Sequence, residues 1–407
     1  MKGFFKNIGP GTLVAAAFIG PGTVTVCTLA GVQFGYSLLW AMLVAITATI
    51  ILQNMAAKVG LVTQKGLAEV IRNELKHPML RFAGIAIVLA AIVVGNAAYE
   101  AGNIAGGVLG LNTIVENTTI DLSGISINFA SILLGSIAFI LLFIGKYKVL
   151  ERVLITMVVL MSITFLVTAI MVKPSLSQLL RGLIAPSVSS ENILTIVALI
   201  GTTIVPYNLF LHASLVNQKW NNANDLKASK SDTVFAVALG GIVSMSIIVA
   251  AASFPSSGIA SAADLARSLE PLFGDAAKYF LGLGLFAAGI TSAITAPLAA
   301  AYVAVGCFGW ENDLKSMKFR TVWMLVLFIG VLFSTVGIKP IVVIQFAQVA
   351  NGILLPVIIL FLLWIANKRR VMGKYKNSLL LNCAIIFILL FTLYLGARSI
   401  GKVFGLL

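Results

Sequence analysis

Four groups of polar residues interrupt otherwise apolar sequence, and each has the chemistry to bind or move a small ion or solute. The first is Gly20-Pro21-Gly22-Thr23, followed closely by Thr25. The second is Gly201-Thr202-Thr203-Ile204-Val205-Pro206-Tyr207-Asn208, with His212 one helical turn further on. Proline removes a backbone donor and glycine weakens a helix, so a helix entering either motif breaks there. In hydrocarbon the freed backbone groups must be met by a ligand, water or a neighbouring helix. A plain proline kink is the simpler reading of one break; two matched breaks point to a binding site. The third group is Asn96, Glu100 and Asn103, which share one face of a helix. With the other Asp and Glu assigned to loops, Glu100 is the one acidic residue expected inside a crossing. Low dielectric favours the neutral form of a carboxylic acid, so Glu100 can carry a coupled proton, pair with His212, or cap a break elsewhere. Packing by a hydrogen-bonded ring is the plainer role for His212. The fourth group, Thr291-Ser292 with Thr295 and Pro297, offers adjacent hydroxyls that suit Na⁺. Hydroxyls of this kind also serve as ordinary interhelical hydrogen-bonding groups.

These motifs must be positioned by membrane helices. The chain has 407 residues, 59% hydrophobic and only 10% charged, with a mean hydropathy of +1.04. A soluble domain carries about 25% charged residues, so this composition cannot cover a globule of this size in water. Eleven apolar segments reach the length needed to cross a bilayer. They lie near 11–34, 36–57, 82–110, 127–145, 150–172, 192–217, 233–254, 277–307, 321–337, 340–366 and 378–400. The net charge of +14 is distributed by topology, because 21 of the 28 Lys and Arg fall on alternate loops. That is the positive-inside pattern, which places the N-terminus in the cytoplasm and the C-terminus outside, in a multi-pass plasma-membrane protein. The charge is therefore no nucleic-acid footprint. Cys27, Cys307 and Cys383 are three widely spaced residues in apolar sequence and read as packing residues. Two histidines, no nucleophile–base pair, no Gly-rich nucleotide loop and no expected cofactor argue against an enzyme.

The organisation is that of an inverted repeat. Residues 1–172 carry five crossings, residues 173–366 carry five more in the opposite orientation, and residues 367–407 add an eleventh helix. The two breaks fall in the first helix of each half, the equivalent position in each repeat. The expected molecule is an all-α integral membrane protein that works as a monomer by alternating access. A channel has no need of matched broken helices, and a sensor that binds without translocating lacks a signalling domain to read the binding out.

The run from Gly201 to His212 resembles the sixth-helix signature of the Nramp (natural resistance-associated macrophage protein) metal transporters, whose core is Met-Pro-His-Asn. Phe18-Ile19-Gly20-Pro21-Gly22-Thr23 is similar to that family's Asp-Pro-Gly-Asn break. The likeness continues at Leu180-Arg181-Gly182-Leu183 with Pro186, at Ala288-Gly289-Ile290-Thr291-Ser292, and from Leu355-Pro356 to Met372-Gly373. It implies a LeuT-type fold with helices one and six broken, and it matches Gln348 to the family's tenth-helix glutamine. It departs at the metal ligands: Gly20 stands at the Asp position, Thr23 at the Asn, Val205 at the Met and Tyr207 at the His. The family's acidic pair in helix three is not reproduced at its spacing either. Charge for a desolvated divalent cation and a thioether selective for soft metals are both missing. The remaining set of Thr23, Thr25, Thr202, Thr203, Tyr207, Asn208 and Gln348 is neutral. With no carboxylate beside it, the start of the second half-helix favours an anionic group. The substrate expected is a small carboxylate-bearing solute, an amino acid or organic acid, coupled to H⁺ or Na⁺. The family's own precedent favours the alternative, a divalent metal moved with its hydration shell largely intact.

Overall fold

The computed structural model describes residues 19–115, 118–122, 125–145, 148–220, 222–254, 262–311, 313–336 and 338–403. Helix α1 (Pro21–Phe34) is followed by α2 (Leu39–Thr63), α3 (Leu67–Glu74) and α4 (Pro78–Leu111). The first half closes with α5 (Phe129–Ile144), α6 (Lys148–Met171) and α7 (Leu176–Ile184). In the second half, α8 (Ile193–Thr203) and α9 (Pro206–Lys219) are the two pieces of one crossing. After them come α10 (Leu226–Ala252), α11 (Ala277–Phe308), α12 (Met317–Thr335), α13 (Pro340–Asn367) and α14 (Leu379–Val403).

Among the described residues nine helical spans are long and apolar enough to cross a bilayer, and α5 is a shorter apolar helix. Each apolar segment of the sequence is represented, the first by α1 alone because residues 1–18 lie outside the described residues. The polar loops hold more structure than their composition suggests. Helices α3 and α7 are short and amphipathic, and β1 (Thr119–Leu122) pairs antiparallel with β2 (Ile125–Asn128). Helices α2 and α10 run furthest past their expected limits. Helix α2 continues through Lys58, whose ammonium is held by Asn377 Oδ1 at 2.6 Å. Helix α10 begins at Leu226, which takes the buried Asp232 into the helix, so Glu100 is not alone as an acidic residue within a span.

Helix α4 is the post on which the site is built, packed against α11, α12 and α13. A π-helical turn at Ala90–Val94 precedes its polar face. Small residues set the helix spacing, as is usual where apolar lipid supplies no hydrophobic drive between helices. A methyl group added at Gly289 of α11 would sit 2.6 Å from Gly107 Cα of α4, so the two backbones are in direct contact. One added at Gly106 would lie 2.0 Å from Pro21 Cβ, which seats the start of α1 on α4. Gly102 in turn faces Ala347 of α13. Overpacking a contact of this kind costs about 1–3 kcal/mol. Gly289→Val is therefore expected to lower the unfolding temperature of purified protein by several degrees. Leu390→Ala, at a side chain on the outer surface of the bundle, should leave it nearly unchanged.

Candidate functional site

The second piece of the sixth crossing and helix α1 start in the same way. In the sixth crossing the Ile204 N–H still returns to Ile200 O at 2.8 Å, and the chain then leaves the helical path. Ile204 has φ −97°, ψ 74° and Val205 φ −76°, ψ 120°, before Pro206 restarts the helix as the first residue of α9. A residue ahead of proline is pushed out of the α region, and proline fits a helix start because its missing N–H is not needed there. Gly20 is likewise extended (φ −103°, ψ −176°), and Pro21 opens α1.

The two breaks touch. Thr23 Oγ1 and Thr202 Oγ1 are 2.8 Å apart and fully buried, joining the start of α1 to the end of α8. Helix α13 closes over both. A methyl group at Gly22 would fall 2.1 Å from Gln348 Nε2, and one at Gly201 would fall 1.9 Å from Gln348 O. Glycine is required at these positions because the Gln348 amide and the α13 backbone occupy the space of a side chain. Gly20, Gly22, Thr23, Gly201, Thr202 and Gln348 therefore form one contact group. Asn208 lies in the first turn of α9, two residues past Pro206. Thr203 turns away, donating to Leu199 O at 2.8 Å and reaching Met42 Sδ at 3.6 Å. Tyr207 packs edge to face on Tyr99 of α4, with ring centroids 5.5 Å apart.

Several polar atoms here are buried without a hydrogen-bond partner among the described residues. They are both amide atoms of Asn208, Gln348 Oε1, Asn351 Nδ2, Thr25 Oγ1 and the Tyr207 hydroxyl. Most buried polar groups in proteins are paired, and leaving one unpaired costs about 1–3 kcal/mol. Their concentration around the Thr23–Thr202 contact marks a polar cluster within the apolar bundle. Asn351, one turn along α13 from Ala347, carries no signal in the sequence beyond being a polar residue in an apolar helix.

The other candidate residues lie apart from this group. Glu100 is fully buried, accepts from Asn103 Nδ2 at 3.2 Å, and packs against Gly330 of α12, with Oε1 unpaired. His212 bonds through Nδ1 to Gln53 Oε1 of α2 at 2.9 Å and not to Glu100, a partner that an isolated glutamine in an apolar segment did not reveal. Asn96 donates to Ala296 O of α11 at 2.8 Å, next to the proline inside that helix. Thr291 directs its hydroxyl to Ala287 O and Ala288 O, 3.1 and 3.0 Å away in its own helix, while Ser292 is buried.

The natural resistance-associated macrophage protein-like (Nramp) family description matches residues 11–401. The chain belongs to the Nramp family. An Nramp member is a membrane transporter, and the fold agrees. The Eremococcus coleocola manganese transporter, in complex with an aromatic bis-isothiourea compound, superposes with a TM-score of 0.78 at 21% identity, covering 98% of this chain and 87% of that one. MhsT in complex with L-phenylalanine gives 0.62 at 14% identity, with 97% and 98% covered. A nucleobase-cation-symport-1 family transporter with bromovinylhydantoin bound gives 0.57 at 16% identity, with 98% and 94% covered. The architecture of this Nramp protein is the LeuT type, a mostly helical membrane bundle whose sixth crossing is broken between α8 and α9.

The hydroxyl contact between the breaks makes a direct expectation. Thr23→Val and Thr202→Val should each lower stability by about 1 kcal/mol, the usual worth of a buried neutral hydrogen bond. The double variant should lose less than the sum, because both changes remove the same hydrogen bond. Thermal unfolding of the four proteins in detergent measures this cycle; strict additivity would mean that the hydroxyls do not interact.

Proposed function

We propose that this Nramp-family transporter carries a small carboxylate-bearing organic solute by alternating access, with the site at the two touching breaks. The observation that carries the reading is the donor set at that point: amides and hydroxyls, several of them unpaired, with Gly20 and Val205 at the positions where the family places a carboxylate and a thioether. Hydroxyl and amide oxygens alone hold a bare Mn²⁺ or Fe²⁺ poorly. MhsT, bound to L-phenylalanine, shares the overall fold, which supports an organic solute of this kind. Family membership and the likeness to the manganese transporter favour a second reading, in which a divalent cation passes with most of its water and the site oxygens accept hydrogen bonds from that water.

For coupling we assign the proton to Glu100. Its carboxyl is fully buried where α4 meets α12, with one oxygen unpaired. The working unit in this reading is a monomer in the plasma membrane, its basic end cytoplasmic, with residues 1–172 and 173–366 as the two moving repeats and residues 367–407 as an appended helix.

A ligand that binds only the folded protein stabilises it by about 2.7 kcal/mol at a hundredfold excess over its dissociation constant. In a thermal-shift panel of amino acids, organic acids and divalent cations, one of the organic solutes is expected to raise the unfolding temperature and Mn²⁺ is not. Gly20→Asp, Thr23→Asn and Val205→Met together should create Mn²⁺ binding on the existing scaffold. Low-micromolar Mn²⁺ affinity in the unaltered protein, lost on changing Asn208 or Gln348, would establish the metal reading instead. In proteoliposomes a proton gradient alone should drive uptake, and Glu100→Gln should remove that drive while sparing binding. Uptake driven by sodium alone and indifferent to Glu100→Gln would leave Glu100 a structural residue.

A further inference from the structure

The unpaired amide atoms at the breaks are balanced between donors and acceptors, and the unpaired hydroxyls of Thr25 and Tyr207 can serve as either. Asn208 contributes one of each, Gln348 contributes an acceptor through Oε1, and Asn351 contributes a donor through Nδ2. All three side chains are at least 98% buried. Gln348 and Asn351 lie three residues apart on α13, about 4.5 Å along its axis and about 60° around it, so they present amides from neighbouring turns. Helix α13 runs antiparallel to α4, since Gly102 meets Ala347 and Gly95 meets Leu354. That places Asn351 level with Tyr99, whose ring packs on Tyr207 beside Asn208. Asn351 thus belongs at the lower wall of the same pocket, one turn beyond the Gln348 amide that covers Gly22.

A bare carboxylate would satisfy the donors and leave the acceptors unmet, and a cation would do the reverse. Each such mismatch leaves a buried polar atom unpaired, and a site that hydrogen-bonds one group rejects analogues lacking it. We propose that Asn351 is a specificity-determining residue of this site and that the substrate head group is zwitterionic, a free α-amino acid. Asn351 and Asn208 donate to the carboxylate, and Gln348 and Asn208 accept from the ammonium. The inference rests on the organic-solute reading above and narrows it from amino acid or organic acid to amino acid.

The test is binding to purified full-length protein, read by thermal shift and calorimetry. The probes are neutral L-amino acids, the matching acids without the amino group (propionate for alanine), the matching amines without the carboxylate, and MnCl₂. Binding by one or more amino acids, at least about tenfold tighter than by the acid or amine counterpart, is expected. Asn351→Leu should weaken that binding by a similar factor while the ligand-free unfolding temperature holds or rises, because an unpaired amide has been replaced by a side chain of like size. Asn351→Asp, which turns the donor into an acceptor, should weaken it further. If acid and amino acid bind equally, or if Asn351→Leu folds and binds as before, the zwitterion assignment fails and the organic-solute reading stands. If MnCl₂ alone binds, the underlying reading fails with it.

Discussion

Backbone amide and carbonyl groups cannot be left to hydrocarbon, and the middle of this bundle is organised around a place where helical pairing stops and the helix start packed against it. At Ile204-Val205-Pro206 the chain leaves the helix, and the extended Gly20 leads into α1 beside it. The Thr23–Thr202 contact ties the two interruptions together, and Gln348 is laid across both by glycines that yield their side-chain volume. Helix α4 supplies the fixed wall. Pro21 sits on its Gly106, and the α11 backbone lies against Gly107, so the breaks are held in register by steric contact as much as by hydrogen bonds. A pocket of unpaired amides survives there because the surrounding apolar packing is extensive enough to offset its cost.

Much of this could be read from residue order. The apolar segments, the two Pro-Gly interruptions and the Thr, Asn and Gln residues beside them were visible because proline and glycine act locally, and hydrocarbon leaves few alternatives for what surrounds them. Pairings between distant segments were not visible. Nothing in the spacing joins His212 to Gln53, 159 residues away, or Asn96 to the carbonyl of Ala296. Asn351 carries no motif, and only the packing of α13 on α4 and α8 brings it toward the breaks. Helix limits failed for a related reason. Lys58 and Asp232 look like loop residues until their surroundings are known; the one donates a hydrogen bond to Asn377 and the other is buried within α10.

In the proposed reading the departure from the family's ligands is confined. Gly20, Thr23, Val205 and Tyr207 set the chemistry of the site, while the glycines that let α13 approach and the prolines that open α1 and α9 set its geometry. Scaffold and specificity separate in that reading, and a neutral set rich in amides would favour a solute with hydrogen-bonding groups of both kinds over a cation that needs charge.

Hydrogen–deuterium exchange at the two breaks tests that claim most directly. Backbone amides in 20–26 and 200–209 should be protected when a mixture of amino acids is added to purified protein, and unchanged by saturating MnCl₂. Protection of both segments by Mn²⁺, with none from the organic solutes, would contradict it.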